Sequence, residues 1–189
     1  MSGVLLLALL WAFGSNANYY LSDDHTRVLR RAYTANPFPE CASIGAELKK
    51  RSQPGDEMLV FGAEPELLVS SGLPSVTGHI FPYHLLDGQP YNVEFQHELI
   101  KSVYDREPRF VAVFTGGTSW LFRDAATGNH WIDRLSAPVF DNPKYRRICI
   151  TDIFNNMTVI KWDRELSGFK PSSKAQIWVY ERNGQRTRR

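Results

Sequence analysis

The stretch LVFGAEPELLVSSG, Leu59–Gly72, sets a carboxylate at Glu64, two residues past the glycine that ends an apolar run. A second apolar run, RFVAVFT, ends in Gly116-Gly117 and is followed by Ser119 and Trp120. In an open α/β sheet the turns that follow neighbouring strands share one rim, the usual crevice for ligands. Gly62, Glu64, Gly116, Gly117 and Trp120 are therefore the candidate ligand rim, with Ser119 beside them. There Glu64 can hydrogen-bond a polyol or an amine, and Trp120 or Trp131 can stack on sugar or lipid. The preferred reading is plainer. Glu64 starts a short helix at Pro65 and stabilises the positive end of its dipole, and the tryptophans pack at the edge of a core.

Other chemistry is not encoded. GAEPE lacks the G-x-G-x-x-G spacing and GGTSW has no lysine at P-loop spacing, so neither nucleotide cradle is present. Ser70-Ser71-Gly72 closes a helix instead of following a strand, so there is no nucleophile elbow. His25, His79, His84, His97 and His130 are scattered. His79 and His84 stand five apart across a proline, which suits neither an i, i+4 helical pair nor an alternating-strand pair. No metal site is expected there. Cys41 and Cys149 belong to no C-x-x-C pair and read as buried thiols, with a disulfide as the alternative in an oxidising compartment. Asn156-Met157-Thr158 matches a glycosylation sequon, relevant in a secretory setting. No cofactor is implied, and no self-contained catalytic residue set can be read.

The elements that must position these residues follow from composition and pattern. The chain has 189 residues, 43% hydrophobic and 22% charged, and a formal net charge of +2, which describes a packed domain and not a disordered chain. The excess charge gathers in Arg182, Arg186, Arg188 and Arg189, and no RNA- or DNA-binding pattern accompanies it, so nucleic acid is excluded as the expected partner. Residues 1–17 carry VLLLALLWAF, an apolar run of about 15 Å as a helix, too short to cross a bilayer alone. It is either a signal-peptide core, with Ser15-Asn16-Ala17 as the cleavage site, or the outer end of a transmembrane helix. Both readings put the rest of the chain on the extracytoplasmic side. A helix buried in the core is the third option.

Residues 18–35 form a connector in which Ser22-Asp23-Asp24 can cap a short helix with Val28 and Leu29 as its contacts. Residues 36–182 form one α/β domain and 183–189 a basic tail. The pattern predicts a helix over 40–51, an interior strand over 58–61, a helix over 65–71 closed by Gly72, and a short strand at Ile80-Phe81. A helix over 91–104 and an interior strand at RFVAVFT come next, then an aromatic excursion. RRICITDIF and MTVIKWD flank an Asn155-Asn156 hairpin turn, and AQIWVYER is the last strand. This order implies a three-layer Rossmann-like open sheet, a parallel core with antiparallel C-terminal strands.

From Tyr33 to Leu121 the landmarks YTANPFPE, PGDEMLVFGAEPELLVSSG, TGHIFPYHLLD and FQHELIKSVYDREPRFVAVFTGGTSWL stand in an order that resembles a known family. It is the extracytoplasmic C-terminal region of bacterial membrane glycosyltransferases, protein-mannosyltransferase-like enzymes that use polyprenyl-phosphate sugars. In that family the acidic residue for sugar transfer lies in an early loop between transmembrane helices. No position here matches it, so no catalytic residue is carried over. The resemblance implies an accessory domain or fragment, inactive alone, bound to membrane through its apolar segment, with a carbohydrate or lipid-linked sugar as a possible ligand. The alternative expectation is a freestanding secreted α/β module that binds a carbohydrate or another small ligand at the rim.

Overall fold

The computed structural model describes residues 2–33, 36–86, 88–116, 119, 139, 141–154 and 157–184. Two compact units divide after Asn36. In the first, α1 (Ser2–Ser15) is apolar around its whole circumference, and Val4, Leu5, Leu6, Leu7, Leu9, Leu10 and Trp11 are all exposed. A single-turn α2 (Ala17–Tyr20) and α3 (His25–Tyr33) follow. The Arg27 N–H donates to Asp24 Oδ1 at 3.0 Å, so the Ser-Asp-Asp cap falls on Asp24. Helix α3 has no fully buried residue; Val28 and Leu29, its expected apolar contacts, are half-buried. Its Arg30 guanidinium reaches the Asn36 carbonyl at 3.1 Å.

The second unit carries α4 (Phe38–Arg51), β1 (Met58–Phe61), α5 (Glu66–Ser71), α6 (Asn92–Arg106), β2 (Phe110–Phe114), β3 (Tyr145–Phe154), β4 (Met157–Trp162) and β5 (Gln176–Arg182). Short 3-10 turns lie at Tyr83–Leu85 and Asp163–Leu166. The strands form one open sheet in the order β1-β2-β5-β3-β4. Among these described strands only β1 and β2 are parallel; β5 pairs antiparallel with both β2 and β3, and β3 with β4. The sheet is therefore mixed and mostly antiparallel, and the expected parallel core shrinks to one pair.

The missing strand explains the difference. Ile80 and Phe81 belong to no strand and are each 41% exposed. The edge beside β1 is taken earlier, by Ser75, whose neighbours Pro74 and Val76 exchange two backbone hydrogen bonds with Met58 at 3.0 and 2.9 Å. After that single bridge the chain leaves the sheet.

Strand alternation splits the core in two. Met58, Val60, Phe110, Ala112, Phe114, Ile177 and Val179 join Cys41, Ile44 and Leu48 of α4 and Leu67 of α5. Leu59, Phe61, Val111, Val113 and Tyr180 face the opposite way, to Leu99 and Val103 of α6 and Leu85. Both faces of β1 and β2 are thus buried, which is why their sequences are uniformly apolar. A bulge in β3 breaks the alternation: Arg147 pairs with Tyr180 and Cys149 with Val179, leaving Ile148 as the extra residue. Ile148 and Cys149 consequently enter the same cluster. Both cysteines are buried and free, as the thiol reading expects.

Helices α4 and α5 meet at Gly45. A Cβ there would lie 2.8 Å from the Ser70 carbonyl carbon and 2.9 Å from the Ser71 nitrogen, and backbone cannot yield as a flexible side chain can. At the far end of α4 the Arg51 guanidinium sits over the Trp162 ring at 4.6 Å and pairs with Asp163 at 2.9 Å. On β3, buried Asp152 accepts from the Ser172 N–H and Oγ at 2.6 and 2.7 Å and from the Ser173 N–H and Oγ at 3.1 and 2.5 Å. Burial alone would raise its pKa, but these donors favour the carboxylate and hold it below its ordinary 3.8.

Two outcomes are expected. Gly45→Ala should lower the unfolding free energy in urea by about 1–3 kcal/mol through overpacking. Asp152→Asn should cost roughly 2 kcal/mol at neutral pH. A group with a depressed folded pKa stabilises above its unfolded value and loses that contribution as pH falls through the folded one. The Asp152→Asn deficit should therefore vanish in acid below pH 3.8. A deficit that stays constant with pH would contradict this assignment.

Candidate functional site

The parallel pair brings the two predicted turns together. Gly62 and Glu64 follow β1, Gly116 follows β2, and the Ser119 N–H donates to the Gly116 carbonyl at 3.0 Å, folding the second turn back. The Ser119 hydroxyl then donates directly to Glu64 Oε1. Gly117 and Trp120 lie outside the described residues, as do Trp131, His130 and the Asn155-Asn156 turn, which holds the sequon asparagine.

Glu64 is not a side-chain cap. No such hydrogen bond starts α5; the Leu67 N–H instead meets the Glu64 backbone carbonyl at 3.2 Å. Its carboxyl meets Ser119, stands against Gly62 and is only 4% exposed. Gly62 makes room for it: a Cβ at residue 62 would collide with Glu64 Oε2 and stand 2.9 Å from Phe114. The carboxyl group fills the space beside Gly62 and ties it to Ser119. Sequence reasoning set Glu64 at the start of α5 as its cap, and the structure turns its carboxyl to Ser119 instead.

The electrostatics follow from that placement. Burial raises the Glu64 pKa to about 7, with the nearby Glu66 adding to it, while Ser119 and the Ala63 amide pull the other way. Oε2 is sealed and has no hydrogen-bond partner, the arrangement a neutral carboxyl tolerates better than a carboxylate. The Cys41 thiol bonds to Glu66 and lies near Glu64 and Glu40, and burial with these three negative neighbours drives its pKa far up. It is thus an inert thiol and no nucleophile. Glu40 is itself buried and accepts from the Thr158 hydroxyl.

A second set of groups escaped the sequence reading. His79 Nδ1 and His84 Nε2 lie 2.6 Å apart, although their spacing in sequence fits no regular element. Irregular backbone does the work. The Ser75 hydroxyl accepts from the Thr77 N–H and the Thr77 hydroxyl from the His79 N–H, both at 3.2 Å, two side-chain turns in succession. Pro82 then starts the 3-10 turn that carries His84 back, and buried Gln96 of α6 fixes it by donating to the Leu85 carbonyl at 2.7 Å. Phe95 contacts both imidazoles, with ring centroids at 5.4 and 5.3 Å. The Ser-x-Thr-x-His run was the signal available in the sequence. Among the described residues no group of three or more histidine, cysteine, aspartate or glutamate side chains is arranged to hold a metal ion.

Comparison with protein-family models, with curated proteins and with solved structures finds no match to this chain.

The Glu64 geometry has a measurable consequence. Its folded pKa is raised, so between pH 4.5 and about 7 the native state binds more protons than the unfolded chain, and stability falls as pH rises through that window. Glu64→Gln removes the ionisation. Its stability relative to the natural sequence should improve across the window by up to roughly 3 kcal/mol, at about 1.36 kcal/mol per pKa unit. Urea titrations at the two ends of the window would test it; an unchanged difference would mean that Glu64 ionises freely.

Proposed function

We propose that this chain is an extracytoplasmic accessory domain of a membrane glycosyltransferase that uses a polyprenyl-phosphate sugar. The residue that transfers sugar belongs to membrane machinery outside the described residues. One observation carries the membrane half of this reading: α1 is apolar on every side and leaves its leucines and Trp11 more than half exposed. Water penalises that surface by about 25 cal/mol for each Å², and a hydrocarbon environment removes the penalty. At about 1.5 Å per residue, α1 is about 21 Å long, and no helix among the described residues is long and apolar enough to cross a membrane. It therefore acts as a membrane-inserted end and not as a complete span.

The glycosyltransferase half rests on the ordered landmarks from Tyr33 to Leu121. A three-layer, Rossmann-like domain is part of the same proposal, supported by apolar clusters on both faces of the sheet. The buried Glu64 supports an accessory role, because its carboxyl, set at the sheet crevice, is sealed against substrate.

The full chain should float with vesicles of phosphatidylethanolamine and phosphatidylglycerol. Charge inside a membrane helix costs about 2.5–3.5 kcal/mol per residue, so Leu6→Asp with Leu10→Asp should abolish flotation while the circular dichroism of the folded unit persists. Equal flotation would remove the membrane assignment. Incubated with a polyprenyl-phosphate mannose donor and acceptor peptides, the full chain should show no transfer. Transfer that disappears in Glu64→Ala would refute the accessory role.

A further inference from the structure

Beside the two histidines lies an open pocket of about 530 Å³, lined by Phe81, Tyr83, His84 and Gln89. We propose that this pocket binds a neutral pyranose, with the apolar face of the sugar against Phe81 and Tyr83 and one hydroxyl donated to His84 Nδ1. The proposal goes beyond the membrane reading and does not depend on it.

The aromatic half comes first. Phe81 and Tyr83 are 41% and 37% exposed, and their rings lie nearly parallel, 15° apart with centroids at 6.1 Å. The segment that holds them is no loose loop: the Ser75 and Thr77 turns, the 3-10 turn and Gln96 fasten it to α6. Stacked on each other, the two rings leave an outer aromatic face in water, and the positive C–H edges on one face of a pyranose complement the negative face of a π system.

The polar half is set by a chain of contacts behind the pocket. His79 Nε2 is sealed from solvent and lies 3.3 Å from Glu98 Oε2, an ion-pair separation without hydrogen-bond alignment. A bare nitrogen lone pair facing a carboxylate would be repelled, so Nε2 carries the proton. In a neutral His79 the Nδ1 is then the acceptor, His84 Nε2–H the donor across 2.6 Å, and His84 Nδ1 the bare nitrogen. A hydrogen bond at one ring nitrogen decides the state of the other. Burial lowers the His84 pKa, which favours a neutral His84 ring. Neither His84 Nδ1 nor the Gln89 side-chain amide has a partner among the described residues.

The ligand class follows by elimination. Among the described residues the wall holds no lysine, arginine, aspartate or glutamate, so no described group there would pair with an anion or a cation. A purely aromatic ligand would offer no hydrogen-bond partner to His84 Nδ1 or to the Gln89 amide. A pyranose offers an apolar face and hydroxyls that both donate and accept, and the volume lies within the range of small-molecule sites.

The test uses the full chain and methyl α-mannopyranoside, methyl β-glucopyranoside and methyl β-galactopyranoside as probes, with inorganic phosphate and p-cresol as anionic and aromatic controls. Saturation-transfer NMR should show transfer to the ring C–H protons of at least one pyranoside, saturable at millimolar concentration. Phe81→Ala and Gln89→Ala, both at the surface, should each weaken it about tenfold, or about 1.4 kcal/mol. Long-range ¹⁵N correlation should find His84 protonated at Nε2 and bare at Nδ1, and the sugar should shift the Nδ1 resonance. Transfer to no pyranoside, equal affinity in both variants, preference for p-cresol or phosphate, or a proton on His84 Nδ1 would each overturn the proposal.

Discussion

The hydrogen bond from the Ser119 hydroxyl to the buried Glu64 carboxyl governs the centre of this domain. It joins the turn after β1 to the turn after β2, at the one place where the described sheet is parallel. A parallel pair has no tight turn linking its strands, so something else must tie their neighbouring ends. Here a glycine leaves space at residue 62 and the carboxyl fills it. The cost is a carboxyl removed from water with one oxygen unpartnered; the neutral form makes that cost bearable near neutral pH.

Two carboxyl groups on the sheet are tuned in opposite directions for reasons visible in their donors. Glu64 has few donors in an apolar crevice and its pKa rises. Asp152 has four donors from Ser172 and Ser173 and its pKa falls despite burial. The first favours the folded state at low pH and the second at higher pH, so their combined contribution is greatest between their transitions. Both act as ties between strands and loops, which is why neither is offered to a ligand. Elsewhere, in the irregular segment over α6, polar groups are ordered by turns beside exposed aromatic rings.

Much of the fold was legible from pattern. The helix over 38–51, the strands at 58–61 and 110–114, the β3–β4 pairing and the last strand all have periodicity or β-branched runs that hydrophobic burial alone explains. Gly72 closes α5 with φ at 69°, the left-handed conformation that a glycine accepts without strain. Pairing partners were less legible. Ile80-Phe81 has strand-like composition, yet Ser75 had already taken the edge beside β1, and competition between segments for one edge is not written in either segment.

Sequence by itself determined which residues are apolar, where helices start and stop, and that Glu64 and Ser119 follow strand ends, because these depend on neighbours along the chain. Tertiary structure alone decided which way the Glu64 carboxyl points, that β5 enters between β2 and β3, that Ile148 and Cys149 share a face across a bulge, and that His79 meets His84. Each is a contact between groups whose separation in space is set by the packing of other elements. A side chain chooses its direction from the volume and the partners the finished fold leaves to it, and no local pattern encodes either.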